Sequence, residues 1–492
     1  MKKLSQIISS ISLQETLYLA DVTIENIAWQ QQQVQGNTLF CLIEEPTTAG
    51  WQGEEVLDSL ATNEQIQALL VARPYPNIKI TQLVSSDPNR SMAEIAKFFF
   101  GNPDESMAIV GVTGTNGKTT TTQLINQLLN AAGKAATAMG TLGLFQGSEK
   151  IEDLAGKTTP LATTLYDILY RLAEKNHFCL AMELSSHGIK QRRNHGLDID
   201  IAVFTNITQD HLDFHGTMED YKATKKSLFE NLKVDGLAIV NSDDPFSEEI
   251  LRDLPCKGFT FGFSDKADLY AQDVQSSIAG SNFTIHFQGK ELQIQSPLVG
   301  LFNVHNLLAA IAVCLNLGIP YEQFPALCNG LRAAIGRMDV IQLNDSRIGI
   351  VDYAHTPDAL EKVLQSIRGF ASGHILTVFG CGGNKDRDKR SLMGEAASHL
   401  SDICIITSDN PRQEDPLQII NDIQKGISTK NFYIEADRKQ AIDFALEQSQ
   451  SNDIILIAGK GHETYQILAN ETIAFDDKQV LLELAAAKGM LD

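Results

Sequence analysis

A chain of 492 residues is too long for one ordinary hydrophobic core, so about two to four domains are expected. Its 43 % apolar and 21 % charged residues belong to a water-soluble globular protein and exclude a disordered or membrane-embedded one. A formal net charge of −21 excludes a general binder of nucleic acid or of anionic membranes. Anionic ligands would need local clusters of arginine and lysine.

The opening MKKLSQIISSISLQET has two lysines but no uninterrupted apolar core, unlike a secretory signal. No stretch reaches the about 18 apolar residues that a spanning helix needs. Seven cysteines (Cys41, Cys179, Cys256, Cys314, Cys328, Cys381, Cys404) stand singly, with no C-x-x-C pair. They read as reduced, mostly buried thiols of a cytoplasmic protein. Leu4, Ile7, Ile8 and Ile11 fit one face of a short helix, and Gln30 to Gln35 form an exposed turn. Strands are expected at Thr38 to Ile43 and Ala68 to Val71, with Pro74 and Pro76 breaking the pattern. A helix over Met92 to Phe100 and the turn Gly101-Asn-Pro103 close a first domain, residues 1–103.

Residues 107–122 read MAIVGVTGTNGKTTTT. A buried strand (Met107 to Val112) meets a glycine loop, Gly114-Thr115-Asn116-Gly117. Lys118, Thr119 and Thr120 follow, then a helical pattern Leu124, Ile125, Leu128, Leu129 ending near Gly133. Strand, loop and helix N-terminus make a phosphate site: loop N–H groups and the helix dipole face the anion, Lys118 adds a cation, and Thr119 offers a hydroxyl to Mg²⁺. The generic G-x-x-x-x-G-K-[ST] pattern wants glycine at position 112, where this chain has Val112.

The middle third alternates apolar strands with helical stretches, as a parallel sheet covered by helices does. Lys157-Thr158-Thr159-Pro160 is a turn carrying two hydroxyls. The strand Phe178 to Met182 delivers Glu183, Ser185 and His187, and the strand Ile199 to Phe204 ends in Thr205-Asn206 with Asp210-His211. Ligands of such sheets bind beyond the carboxyl ends of the strands. Acid and histidine beside a phosphate loop suit Mg²⁺, which takes carboxylate and phosphate oxygens. Tyr221 to Phe229 is helical, and Lys225 and Lys226 read there as solvated lysines. In the last third, strands Ile348 to Val351, Ile375 to Phe379, Ile403 to Thr407 and Ile454 to Ile457 keep a doubly wound rhythm. Their ends carry Asp352, Gly380-Cys-Gly-Gly383, Asp409-Asn410-Pro411-Arg412 and Gly459-Lys-Gly461. All four ends should share one edge and face the central domain across a cleft.

Gly114-Thr-Asn-Gly-Lys-Thr119, Glu183-Leu-Ser-Ser-His187, Thr205-Asn206 with Asp210-His211, and Gly336-Arg337-Met338 resemble the Mur ligases, the ATP-dependent amino-acid-adding enzymes of bacterial cell-wall synthesis. Asp352-Tyr-Ala-His-Thr-Pro-Asp-Ala-Leu360, Asp409-Asn-Pro-Arg412 and Gly459-Lys-Gly-His-Glu463 resemble the branch that adds the third peptide residue. The resemblance runs from about residue 104 to 480 in order. It implies three α/β domains: an N-terminal uridine-nucleotide domain (1–103), a central P-loop ATPase domain with a mainly parallel sheet (104–336), and a C-terminal Rossmann-like doubly wound domain (337–492). It implies a cytoplasmic monomer without nucleic-acid or membrane partners.

By the same resemblance, ATP meets the 114–120 loop, Asn303, Arg337 and Asp352. Thr119, Glu183 and His211 help hold two Mg²⁺ ions, and Lys225 carries a CO₂-derived carbamate, with Lys226 the competing assignment. The catalytic set is Lys118, Glu183, His211 and Lys225. Thr158, Thr159, Ser185, Gln191 and Arg193 are implied to take UDP-MurNAc-L-Ala-D-Glu. Arg390, Asp409, Asn410, Pro411, Arg412, Gly459 and Glu463 are implied to take meso-diaminopimelate, whose distal carboxylate and ammonium need a cation and an acid. A lysine-adding or folylpolyglutamate-type ligase, or a non-catalytic nucleotide-binding relative, are the competing readings. The chain departs from the family pattern in its first domain. Trp29-Gln30-Gln31 stands where Asp-Ser-Arg is usual, and no Asp-Gly-His-x-Phe-like segment is recognisable near Gly50 to Glu55. Lys157 replaces an asparagine before the two threonines, and Asn384-Lys385 replaces Asp-Arg.

Overall fold

The computed structural model describes residues 1–43, 57–154, 156–252 and 254–491, with backbone alone at positions 58 and 61; the stretch 50–55 lies outside them. Three sheets organise the chain. The first has five strands in the order Glu15–Leu17, Thr81–Val84, Ile66–Val71, Thr38–Cys41, Asn26–Ala28. All are parallel except the first. The helix Pro88–Phe100 ends on Gly101 in the left-handed conformation and leads into the central domain. Its apolar face shares one core with the central sheet, including Met92, Ile95, Leu165 and Leu180. Ion pairs reinforce this seam: Lys97 lies 2.8 Å from both Asp104 and Asp198, and Arg192 lies 2.6 Å from Asp87.

The central sheet has 11 strands. Its parallel part runs Ala136–Gly140, β2 (Cys179–Glu183), β1 (Ala108–Thr113), β3 (Ile201–Phe204), Leu237–Asn241, Lys257–Gly262 and Leu269–Ser277. Antiparallel hairpins extend both edges. Because β1 lies between β2 and β3, the residues leaving those three strands meet at one point of the sheet edge. The loop after β1 feeds helix α1 (Lys118–Ala131). Its Leu124, Ile125, Leu128 and Leu129 are buried against the sheet and against the apolar helix α3 (Leu301–Asn316). Helix α2 is Met218–Glu230. Asn303, implied to meet ATP, lies in the first turn of α3, which begins at Leu301.

The third sheet has six strands: an antiparallel edge strand Asp339–Gln342, then β4 (Ile348–Asp352), β7 (Ile454–Ala458), β5 (Ile375–Phe379), β6 (Ile403–Ile406) and Phe432–Ile434, all parallel. Parallelism puts all four expected motif ends on one edge. Helix α4 (Pro357–Arg368) follows β4. On the sheet's other face the guanidinium of Arg438 bonds both carboxylate oxygens of Asp477 at 2.8 Å, and both side chains are fully buried. All seven cysteines are free thiols, and six are buried. Among the described residues no helix is long and apolar enough to cross a membrane.

Candidate active site between the central and C-terminal sheets

The loop after β1 is held from below by β3's exit. Thr115 N donates to Asn206 O (2.9 Å), Asn116 N to Asn206 Oδ1 (3.0 Å), and Asn206 Nδ2 to Asn116 O (3.1 Å). Thr115 Oγ1 sits 3.0 Å from the Tyr221 hydroxyl of α2. Gly114 (φ 152°) and Gly117 (φ 87°) have no room for a side chain. A Cβ would stand 1.9 Å from Thr205 Oγ1 at the first and 2.4 Å from Asn306 Oδ1 at the second. Val112 is inside β1, fully buried and paired with Glu183 and Val203, so a glycine there would remove packing without freeing the loop.

Glu183, buried at the end of β2, receives Thr119 Oγ1 (2.9 Å) and Thr141 N (2.9 Å) on its two oxygens. Burial pushes its pKa up, while Lys118, the Thr141 bond and Arg337 oppose that. Lys118 Nζ donates to the Gly114 and Thr115 carbonyls at 2.9 and 2.8 Å. Lys225 Nζ, also buried, reaches the same Gly114 oxygen at 2.8 Å. Burial first, and the Lys118 charge second, push Lys225 well below the ordinary lysine pKa. Lys226 instead lies toward Glu230, 3.8 Å away, with 21 % of its side chain exposed. His211 adopts a left-handed backbone (φ 55°) beside Asp210, 3.3 Å off, and burial holds it below the ordinary histidine value. Its ring meets that of His187 edge-on, at 4.8 Å between centroids.

Thr158, Thr159, Ser185, Gln191 and Arg193 form one cluster next to Glu183. Thr158 Oγ1 lies 2.9 Å from Thr141 Oγ1, Thr159 Oγ1 donates to Glu183 O (2.9 Å), and Ser185 Oγ lies 3.3 Å from Thr159 Oγ1. Arg193 gives Nη1 to Thr159 O (2.7 Å) and Nη2 to Gln191 Oε1 (2.6 Å).

On the other side of the loop a cavity of about 530 Å³ opens between the two domains, lined by Asn116, Gly117, Thr120, Phe302, His305 and Asp352 among others. Asn303 is not among its lining. Its amide donates to Val299 O and accepts from Asn306, one turn on, so Asn306 and His305 face the cavity in its place. The His305 ring packs on Phe263 (4.1 Å) and its Nε2 lies 2.7 Å from Asp243 Oδ2. Such an aromatic, hydrogen-bonding wall suits a purine. Two contacts close the cleft above the loop. Asn116 Nδ2 donates to Asp358 Oδ2 of α4 (3.0 Å), and Arg337 Nη2 to Thr119 Oγ1 (3.5 Å) while its guanidinium lies over Tyr353 (4.4 Å). The buried Asp352 carboxylate is engaged by the Met338 and Ala354 N–H groups, both at 2.7 Å, and so fixes the interdomain connection.

In the C-terminal domain, Asn410 Nδ2 donates to Glu463 Oε2 (2.7 Å), and the buried Lys460 ammonium bridges Asn410 Oδ1 (3.3 Å) and Glu463 Oε2 (3.1 Å). Burial raises the Glu463 pKa, and the charge of Asp409 adds to it. Gly459 packs on Asp409, where a Cβ would lie 2.6 Å from Oδ2. Gly383 N donates to Asn410 O (2.9 Å) and lies against Pro411. Arg412 gives Nη1 to Gly383 O (3.0 Å), and Nη2 has no protein partner among the described residues. Arg390 departs from the expectation of a carboxylate clamp. Fully buried, it bonds Glu414 through both terminal nitrogens (3.0 and 2.9 Å) and Asp422 (3.1 Å), because these two acids fold back over the same loop. In this conformation it positions the pocket and is closed to a substrate carboxylate.

Thr141 and His305 had not been singled out from the sequence, and Tyr353 and Asp358 stood there only as members of the Asp352–Leu360 block, without a role. Thr141, Asp358 and His305 matter through partners 42 to 242 residues away. Among the described residues no three His, Cys, Asp or Glu side chains gather as a ready metal cage. The oxygens of Thr119 and Glu183 with the His211 ring still fit a hard cation that takes its remaining ligands from phosphate and water.

The profile of the Mur ligase middle domain matches residues 112–314, and that of the Mur ligase glutamate ligase domain matches residues 336–461. A UDP-N-acetylmuramoyl-L-alanyl-D-glutamate–2,6-diaminopimelate ligase of Clostridium acetobutylicum is 37 % identical over 98 % of each chain. One from Geobacillus thermodenitrificans is 40 % identical over 84 % of this chain and 86 % of its own. A solved structure of a ligase of that name is 32 % identical, with a TM-score of 0.68 over 99 % of this chain and all of the other. The chain belongs to the Mur ligase family.

Proposed function

We propose that this protein is an ATP-dependent ligase that joins 2,6-diaminopimelate to the D-glutamyl side-chain carboxylate of UDP-MurNAc-L-Ala-D-Glu, releasing ADP and phosphate in cell-wall precursor synthesis. The relatives of that name support it, and one observation carries it. The Cys381–Arg387 loop touches both halves of the cleft: Gly383 lies against Asn410-Pro411, and Asp386 lies 3.5 Å from Gln209 on the edge that carries Asp210 and His211. An amino-acid pocket and a phosphate site are thus joined by one short loop. The three sheets correspond to units 1–103, 104–336 and 337–492, and the work is done in the cytoplasm, where ATP and nucleotide sugars are kept.

A carboxylate is a poor electrophile, so the γ-phosphoryl group of ATP is first moved to it, giving an acyl phosphate and ADP. The α-amine then attacks the carbonyl carbon, the C–N bond forms, the C–O bond to phosphate breaks, and the amine's proton is released. Such transfer between anions is mainly positioning and charge neutralisation. Lys118 and Arg337 supply cations, and the loop N–H groups and α1 N-terminus supply dipoles. Thr158, Thr159, Ser185, Gln191 and Arg193 hold the acceptor peptide beside Glu183. Arg412 takes the distal carboxylate of diaminopimelate, and Glu463 with Asp409 its ammonium. Thr119, Glu183 and His211 would hold Mg²⁺, which would supply charge neutralisation of the phosphates. Lys225 fits a carbamate, since its depressed pKa favours the free amine that captures CO₂, and an anion there would end its conflict with Lys118. Closure over the loop excludes water.

The test is ADP release with UDP-MurNAc-L-Ala-D-Glu and either meso-diaminopimelate, L-lysine or no amino acid. Release that needs both the nucleotide sugar and diaminopimelate is expected. Dependence on lysine alone would sink the proposal, as would indifference to the nucleotide sugar.

A further inference from the structure

The buried pair Arg438–Asp477 is a costly way to fill a core. Arg438 opens helix α5 (Arg438–Gln448), and Asp477 opens helix α6 (Asp477–Ala487). Apart from this pair, the buried residues of the two helices are all apolar. A guanidinium at a helix N-terminus meets the positive end of the dipole, and both charges lose their water. An apolar pair of similar volume would serve stability as well, so packing alone gives no reason for charge here.

The guanidinium differs from an apolar side chain in what it reaches. Besides Asp477, its Nη2 donates to Ala458 O (3.0 Å) and its Nη1 to Ser408 O (3.4 Å). Those carbonyls stand one residue before Gly459 and Asp409, where the two loops of the amino-acid pocket begin. The strands that deliver the loops, β7 and β6, are not neighbours, because β5 lies between them. No ladder hydrogen bond can therefore set the spacing of the two loops. The end of β5 leaves the gap free of side chain: it is followed by Gly380, where a Cβ would lie 2.3 Å from Thr407 O. Arg438 spans this gap from below, while Asn410 and Lys460 meet Glu463 above it. Burial disfavours the Arg438 charge, and Asp477 first, then Asp409 and Glu463 of the pocket, more than restore it.

We propose that Arg438, held in orientation by Asp477, is a positioning residue for the incoming amino acid: it fixes the distance between the Asp409–Arg412 and Gly459–Glu463 loops, so that both can grip one substrate. This rests on the ligase reading above and deepens it by naming what sets the width of the pocket.

The test separates positioning from stability. In Arg438→Met with Asp477→Leu the urea midpoint should stay near that of the wild type. The KM for diaminopimelate should still rise at least about tenfold, because a misplacement of about 1 Å is enough, with the KM values for ATP and the nucleotide sugar within about twofold. Leu446→Ala opens a cavity on the same helix and should do the reverse, lowering the midpoint and leaving the KM for diaminopimelate in place. Arg438→Lys keeps the charge, but one ammonium cannot span both carbonyls, so this KM should rise severalfold; it gives the same comparison should the double variant not fold. Hydrogen exchange reads the strut without turnover: segments 409–412 and 459–463 should exchange faster in the double variant, with β4 and β5 unchanged. A wild-type KM for diaminopimelate in the double variant or in Arg438→Lys, an equal rise for ATP, or unchanged exchange in the two loops would overturn the proposal. If ADP release proves independent of any amino acid while the two loops loosen in the double variant, the ligase reading fails and the strut stands.

Discussion

Lys225 offers the sharpest test, because activity and stability should move in opposite directions there. Its ammonium and that of Lys118 bond one carbonyl oxygen, Gly114 O, at 2.8 and 2.9 Å. The two nitrogens therefore stand no more than about 5.7 Å apart, and two unit charges at that spacing repel by about 3 kcal/mol at an effective dielectric of 20. Burial adds to the penalty, and the cationic form of Lys225 is disfavoured for both reasons. Lys225→Met fills similar space without charge. In CO₂-depleted buffer it should therefore raise the melting temperature by several degrees, at about 2–4 °C per kcal/mol for a domain of this size. ADP release should fall by at least about a hundredfold, the scale of losing one preorganised electrostatic group. Lys225→Ala should be partly rescued by a short carboxylate such as acetate, which stands in for the carbamate anion. Lys226→Ala should change neither rate nor melting beyond the about 0.5 kcal/mol of an exposed i,i+4 pair. A lower melting temperature in Lys225→Met, or loss of activity in Lys226→Ala with Lys225→Ala unharmed, refutes the reasoning.

Arg412→Ala should raise the KM for diaminopimelate about 30- to 150-fold, the 2–3 kcal/mol of a charged hydrogen-bonded pair, and leave the KM for ATP alone; equal effects on both would mean a structural role. His355 and His462 have pKa values pushed down to about 4, chiefly by burial. Between about pH 4 and 6.5 the unfolded chain then binds more protons than the folded one, so stability is full above pH 6.5 and falls as pH drops through that window. Urea midpoints across pH 4–7 should show this slope, flattened in His462→Gln; an unchanged slope in that variant counts against the burial argument. Arg438→Met leaves the fully buried Asp477 carboxylate unpaired and should cost about 3–5 kcal/mol in urea unfolding, while Arg438→Met with Asp477→Leu should recover most of it. Equal losses in the single and double variants would show that packing, not charge, governs the site.

What the sequence determined by itself is local. Apolar periods of two and 3.6 residues marked the strands and helices, because burial of a face repeats with the backbone's own period. The phosphate loop was legible for a similar reason, since Gly114 and Gly117 are set by their own positive φ, although the atoms that leave no room for a side chain there belong to the distant Thr205 and Asn306. Even Val112, odd against the generic pattern, is a strand residue whose neighbours are those of β1. Tertiary structure decided which atoms face each other. Lys225 and Lys226 are one residue apart and alike in sequence, yet about 100° of helix rotation sends one to Gly114 and the other toward Glu230. Arg390 looks as available as Arg412 until Glu414 and Asp422 fold back on it. Asn303 yields its place at the cavity to Asn306 and His305 through the phase of α3. Trp29 and Lys157 stand 128 positions apart in sequence and meet only because the first sheet docks on the central domain. Side-chain partners depend on where distant elements pack, and no short window of sequence contains that information.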